Sequence, residues 1–272
     1  MNGSTFGAYS PTICDGTQLQ TRDQEDFSAE ARFTGTFGNV DWQAGIKGSL
    51  FDNRVQFDLA GFYTKVSDMQ FFEFFVGSFG LLRVVSNIDK VDLWGGELNV
   101  TASILDGWTV FGSANITDSK IKKNSSRPST VGNKSPYTAD YTINLGTQLA
   151  LPVTENLTVL ARADWRRTGP TWFHTVQDQT APTLFSGLLP GSALALPAFV
   201  GDARYDVAQR RAFDVVNLRL GLNFETFEVA AFVDNVFDEK YINEAIPAIE
   251  FGGSFISPGA RRMIGVEASV KF

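Results

Sequence analysis

The chain has 272 residues, of which 43% are hydrophobic, and its mean hydropathy of −0.05 is that of a water-soluble protein. No window approaches 18 uninterrupted apolar residues, which excludes a membrane-spanning helix but not a membrane barrel, whose alternating strands average out in hydropathy. A net charge of −7 and a pI near 4.8 argue against a nucleic-acid partner. With one cysteine, Cys14, and one histidine, His174, no disulfide framework, metal centre or cofactor is expected.

In chain order, residues 1–25 carry Gly, Ser, Thr, Pro and Asp without a period and read as an irregular segment. Met1 to Asp26 has neither a basic n-region nor an apolar h-region, so no signal peptide is expected in this chain. Phe27, Ala29, Ala31 and Phe33 then alternate with Ser28, Glu30, Arg32 and Thr34, which predicts a strand over 27–37. Gly38-Asn39 supplies a turn. Val40, Trp42, Ala44, Ile46 and Leu50 face one way in the next strand, and Asp41, Gln43 and Lys47 the other.

Asp52-Asn53 marks a tight connection into a long strand from Val55 to about Phe75. A reversal at Gly77–Gly80 leads to a return strand from about Leu82 to Ile104, with a bend expected at Gly95-Gly96. Asp106-Gly107 is a strong hairpin signal, followed by a strand from Trp108 to about Ser119. Residues 120–136 are polar, cationic and Pro/Gly-bearing, hence a long loop. Alternation resumes over Tyr137–Leu149, Pro152 to Asn156 turns the chain, and Leu157 to Arg166 returns. Residues 169–212 are irregular, with an apolar patch over Leu188–Val200. Phe213–Phe224 and Phe227–Phe237 make a strand pair around Glu225-Thr226, and residues 242–259 read as a Pro/Gly loop. In the final strand Ile264, Val266, Ala268, Val270 and Phe272 oppose Gly265, Glu267, Ser269 and Lys271.

The fold class expected is therefore all-β: an antiparallel up-and-down transmembrane β-barrel with about 10 strands present, part of a larger barrel. Connections near Asp52, Asp106, Thr154 and Thr226 are short, whereas those at 120–136, 169–212 and 242–259 are long. Short turns at one end and long loops at the other are the asymmetry of an outer-membrane barrel. The Gly77–Gly80 reversal is shorter than that scheme prefers.

Several segments carry a resemblance. Asn235-Val236-Phe237-Asp238-Glu239-Lys240-Tyr241 resembles the Asn-Leu-Phe-Asp-x-x-Tyr signature that TonB-dependent outer-membrane receptors carry one strand before their C-terminus. Its motif residues are Asn235, Phe237, Asp238 and Tyr241. Leu50 to Val55 continuing to Asp68-Met69-Gln70, and Gly95 to Leu98 followed by Asp106-Gly107-Trp108, resemble other segments of the same barrel. Phe272, with Val270 and Gly265 before it, is similar to the terminal signal read by the outer-membrane assembly machinery.

This resemblance implies a location in the outer membrane of a Gram-negative bacterium, in contact with its lipid. It also implies energised uptake of a scarce ligand: a ferric siderophore first, otherwise cobalamin or an oligosaccharide. The family's barrels have about 22 strands and a plugged lumen. By that measure residues 26–272 are the C-terminal part of a receptor barrel, without the plug domain and the segment that meets the TonB energy complex. Such a fragment is not expected to transport alone, and no enzymatic role or catalytic residue is expected. Ligand identity stays open.

Individual residues carry paired readings. Tyr137, Trp165, Phe237 and Tyr241 lie at expected strand ends and fit an interfacial aromatic girdle, or ordinary core aromatics. Glu97, Asp140, Arg162, Asp164, Arg166, Arg219, Asp234 and Glu267 fit a water-filled lumen, or a solvated sheet face. Trp172, Phe173 and His174 are candidates for ligand contact in a long loop, against an ordinary surface-loop reading. The cations of 120–127 fit a solvated loop, or contact with lipopolysaccharide or an anionic ligand. Two further functions remain. A small closed channel or adhesin barrel would pair strand 27–37 with the last strand. A soluble all-β binding domain would bury Leu218, Leu220 and Leu222 against a second sheet.

Overall fold

The structure is a computed structural model and describes residues 27–36, 39–77, 80–177, 180–182, 202–204, 208–248 and 253–270. Its strands are β1 (Phe27–Thr36), β2 (Asn39–Leu50), β3 (Val55–Gly77), β4 (Gly80–Leu105) and β5 (Trp108–Lys123). After a 3-10 turn at Pro128–Thr130 come β6 (Tyr141–Thr154), β7 (Leu157–Thr168), β8 (Thr171–Trp172), β9 (Thr180–Pro182), β10 (Asp202–Arg204) and β11 (Gln209–Arg210). The rest are β12 (Phe213–Phe224), β13 (Phe227–Asp234), β14 (Ile242–Ala248), β15 (Gly253–Pro258) and β16 (Met263–Val270).

Ten of these form one sheet in the order β1-β2-β3-β4-β5-β6-β7-β12-β13-β16, every neighbour antiparallel. Strands β1 and β16 stand at opposite edges and do not pair with each other, as the small closed barrel would require. No helix among the described residues is long and apolar enough to cross a membrane.

The register turns the period-2 pattern into two chemically distinct faces. One transverse row runs Leu149–Ala161–Leu220–Ala231–Val266, and two rows further on comes Leu145–Trp165–Val216. Trp42–Tyr63–Trp94 forms a row on the same side at the loop end, and Trp108 and Phe227 lie at the turn end. Trp42 to Leu50 spans about 26 Å along the strand, which a tilt of 35–45° reduces to a height of about 18–21 Å, most of an apolar barrel band of about 25 Å. Leu218, Leu220 and Leu222 are 44%, 57% and 42% exposed, and Ile264 and Val266 73% and 74%. That exposure contradicts the soluble domain, which needs those leucines buried. An exposed apolar face of this extent marks a surface that meets a membrane or another protein.

The opposite face carries Gln43, Lys47, Asp58, Glu97, Asn99, Asn115, Arg162, Asp164, Arg219 and Glu267. Its aromatic side chains sit on glycines of the adjacent strand. Phe62 pairs with Gly95, Phe111 with Gly146 and Phe232 with Gly265. A β carbon at Gly146 or Gly265 would run into the facing ring, so glycine is what admits the close contact.

The turns follow from local chemistry. Phe51, Asp52 and Asn53 all take positive φ (56°, 52° and 64°), and the Arg54 N–H closes the turn on the Phe51 carbonyl at 3.1 Å. Gly107 has φ +76°, a conformation that costs glycine little, and accepts the Ala150 N–H at 2.7 Å.

Several expectations are corrected. β5 runs to Lys123 rather than Ser119, because β4 offers a partner as far as Lys90. β6 starts at Tyr141, not Tyr137, since Tyr137 has φ +60°. It runs through Pro152 to Thr154, with an irregularity between Pro152 and Thr154 and the turn confined to Glu155-Asn156. β13 ends at Asp234, where Asn235 leaves the extended region with φ +50°. Residues 242–259 hold the antiparallel pair β14–β15 instead of a plain loop. Pairing runs unbroken through Gly95-Gly96, and the irregularities of β4 against β5 fall at Lys90/Val91 and Ser103/Leu105. The 1–25 segment, the turn residue Gly38, the Leu188–Val200 patch and Phe272 lie outside the described residues.

Candidate functional site at the loop end of the sheet

Beyond the aromatic row β3 and β4 continue as a hairpin, with the backbone of Asp68 at φ +55°. Phe71, Ile88, Val91 and Ile121 are buried together at its base, with Val66, Met69 and Leu93 packed against them. This small core gives the long connections something to fold onto. Residues 124–140 wrap around it. Asn124 donates from Nδ2 to Thr130 Oγ1 at 2.9 Å and accepts from Ser126 Oγ and the Arg127 N–H. The Ser135 N–H donates to Ser119 Oγ at 2.9 Å.

Residues 169–177 lie against that segment through paired bonds. Lys134 N–H donates to Gln177 Oε1 at 3.0 Å, and Gln177 Nε2 returns a bond to the Lys134 carbonyl at 2.8 Å. Asn133 Nδ2 donates to the Thr175 carbonyl at 2.9 Å, and the Tyr137 N–H to the Trp172 carbonyl at 2.7 Å. Edge contacts of Phe71 with His174 (5.8 Å) and of Tyr137 with Phe173 (5.5 Å) complete the platform.

The candidate ligand residues are brought together here, but differently from a surface loop. Trp172 pairs with Gln209 and is half-buried, while Phe173 and His174 are 3% and 5% exposed. His174 Nδ1 accepts the Val176 N–H at 3.0 Å. Burial, reinforced by the Arg127 charge, pushes the imidazole down to about 3, so His174 is neutral. Among the described residues Thr175 Oγ1 is buried without a hydrogen-bond partner.

Arg210, which the sequence reading did not single out, ties three loops together. It donates to Thr171 Oγ1 at 2.8 Å and to the carbonyls of Ile242 and Asn243, and lies over the rings of Phe173 and Phe213. Nothing local in the sequence marks it, since its hydrogen-bond partners are dozens of residues away.

The receptor-like motif forms a clamp at the same end. Asn235 is 3% exposed, and short polar residues are those that tolerate its left-handed backbone. Its Nδ2 donates to the carbonyls of Glu239 and Ala260, its Oδ1 accepts the Glu239 N–H, and its own N–H donates to Asn217 Oδ1. Asp238 accepts from Arg261 Nε at 2.8 Å and from the Arg262 N–H at 3.0 Å. The Arg261 guanidinium first, then that N–H, holds the Asp238 carboxyl well below the usual carboxylate range. Tyr241 stacks on Phe213 at 4.0 Å and occupies the space over Gly259. Phe237, at 75% exposure, faces out. Three of the four motif residues, Asn235, Asp238 and Tyr241, thus tie the end of β13 to the entry of β16.

On the lumen face Arg219 bridges Glu267 (2.7 Å) and Glu228 (3.5 Å), and Arg162 bonds Asp164 and Gln148. Asp140, expected on this face, lies in the loop and is held by Lys134. Of the assembly candidates, Gly265 seats the Phe232 ring and Val270 pairs with Phe227 on the apolar side. No group of three His, Cys, Asp or Glu side chains that could hold a metal is found among the described residues. The arrangement is a two-faced wall crowned by tightly packed loops at one end.

A family model described as "TonB dependent receptor-like, beta-barrel" matches residues 31–236. Among solved structures, the ferric yersiniabactin uptake receptor FyuA from Yersinia pestis is similar at 17% identity and a TM-score of 0.64, over 91% of this chain and 34% of that one. The copper transporter OprC is similar at 20% identity and a TM-score of 0.59, over 86% and 31%. The siderophore receptor PiuA from Acinetobacter baumannii is similar at 15% identity and a TM-score of 0.57, over 85% and 28%. At such identities the likeness is one of fold. The chain spans between 28% and 34% of the length of these three structures.

Proposed function

Because the chain belongs to the TonB-dependent receptor β-barrel family, we propose that it forms part of the wall and outward loops of an outer-membrane receptor for energised uptake. The observation that carries this is the joint arrangement of an apolar outer face, a polar inner face and a loop platform confined to one end. Residues 26–272 are read as the C-terminal part of the barrel domain. A plug domain, the TonB energy complex, outer-membrane lipid and the assembly machinery that reads Gly265, Val270 and Phe272 are its partners. The reading assigns no covalent chemistry to any residue.

A ferric siderophore is the first ligand to try, since FyuA is named for the uptake of ferric yersiniabactin and PiuA as a siderophore receptor. OprC is named for copper, so the fold alone does not choose the cargo. The platform around Trp172 and Phe173 positions the loops that meet the ligand, with Trp172 as its half-buried reporter. The test is tryptophan fluorescence of the chain in detergent, titrated with ferric siderophores, cobalamin and oligosaccharides. Saturable quenching by one class, lost in Trp172→Phe, supports the reading. A flat response to all three classes contradicts the assignment of ligand capture to these loops.

A further inference from the structure

Immediately beyond the Trp42–Tyr63–Trp94 row, the outward side of the wall changes from apolar to basic. Lys65, Asp92 and Lys120 lie across β3, β4 and β5 as register partners, two residues past Tyr63 and Trp94. Lys90 stands two residues further along β4, with Lys123 as its partner. The buried side chains of Val91 and Ile121 point to the other side, and Lys65, Lys90 and Lys120 are exposed. Two carboxylates in this patch are already engaged, Asp92 by Lys122 at 3.6 Å and Asp89 by Lys123 at 3.4 Å. Asp118, beside Trp94, is held by Lys134 at 3.3 Å. Lys65, Lys90 and Lys120 make no ion pair among the described residues, and the Lys65 ammonium lies 5.7 Å from the Tyr63 ring centre.

The spacing suits one anionic group. Lys65 and Lys120 are two strands apart, about 10 Å between Cα atoms, and Lys90 is about 7 Å along β4 from Asp92. Flexible lysine stems converge over such distances while their methylenes stay on the apolar surface below. An aromatic row marks headgroup depth in a membrane protein. An anion meeting this patch from the outward side is therefore one presented by a lipid.

We propose that Lys65, Lys90 and Lys120 bind the phosphate of a phosphorylated glycolipid headgroup in the outer leaflet around the barrel. This rests on the reading of the apolar face as membrane-spanning. The ligand chemistry could also come from free phosphate, and the test separates the two.

The full chain is refolded into phosphatidylcholine vesicles with and without diphosphoryl lipid A, and retention of lipid A is measured in detergent by native mass spectrometry. The comparison is with the triple variant K65Q/K90Q/K120Q, checked for unchanged heat-modifiable mobility on gels. The unmodified chain is expected to retain lipid A, and the variant to bind it at least about tenfold more weakly at low salt, with the difference shrinking as salt rises. Equal retention by both overturns the proposal. Displacement of lipid A by millimolar inorganic phosphate overturns the lipid source and leaves a soluble-anion site. Insertion into vesicles without any preference for lipid A defeats this proposal alone, whereas failure to insert into any vesicle defeats the membrane-spanning reading as well.

Discussion

The wall and the loop platform are built on opposite physical terms. In the wall, strand pairing satisfies the backbone and side chains alternate between an apolar and a polar side, so each position is specified by parity alone. In the platform and the motif clamp, the backbone leaves the extended region at Asp68, Tyr137, Asn235 and Asp238. Buried polar side chains such as Asn124, Gln177 and Asn235 close the chain on itself. The wall is thus tolerant within a face and intolerant across faces. The platform is intolerant at single residues.

The largest effect that separates the two is a charge on the outer face. Leu220→Arg is expected to cost about 2–4 kcal/mol of folding stability in a bilayer, measured by denaturant titration in vesicles. Gly221→Ala, one residue away on the polar face, has room at ordinary contact distances and is expected to cost under about 1 kcal/mol. Equal costs would erase the distinction between the faces.

Next comes the clamp. Asn235→Ala removes three side-chain hydrogen bonds and leaves two carbonyls and an N–H without that partner. The expected loss is about 2–3 kcal/mol. Because the bonds join the end of β13 to the entry of β16, hydrogen exchange should rise over 235–241 and 259–262 and not at β6–β7. A uniform rise would mean that the clamp is not a local unit.

The platform should respond to acid where the wall does not. Folded His174 sits near 3, against about 6.5 when unfolded, so the unfolded form binds the proton first. The stability it contributes is fully present above about pH 6.5 and is lost progressively as pH falls toward 3. Exchange of amides 171–177, corrected for intrinsic rates, should increase between pH 7 and pH 5, and the increase should vanish in His174→Gln. Asp238 has the opposite chemistry and a lower window: its depressed carboxyl stabilises above its unfolded value near 4 and fails as pH falls below it. The smallest effect expected is at Lys47, whose exposed bridge to Asp58 at 3.3 Å is worth under about 1 kcal/mol. Lys47→Ala should leave the denaturation midpoint nearly unchanged.

Legibility in the sequence divides along the same line. Alternation over 157–166, 213–224 and 263–270 marked three strands and both of their faces, because the wall depends on parity. The short turns at Asp52, Asp106 and Thr226 were equally plain. Parity says nothing about where a strand ends: β5 continues four residues past Ser119 to Lys123, and β13 stops at Asp234, three residues before Phe237. The Pro/Gly content of 242–259 concealed a hairpin whose strands find their register only against each other. His174 was visible as a singular residue, but its burial depends on Phe71, about a hundred residues earlier. Arg210 gave no local sign at all.

The central claim is that the apolar face contacts lipid while the platform stands outside it. Single-tryptophan variants of the refolded chain, retaining only Trp94, Trp108 or Trp172, test this in vesicles of phosphatidylcholine brominated along its acyl chains. Trp94 and Trp108, on the outward face at its two ends, should be strongly quenched, and Trp172 should be unaffected. Equal quenching of all three, or none at Trp94 and Trp108, would contradict the account.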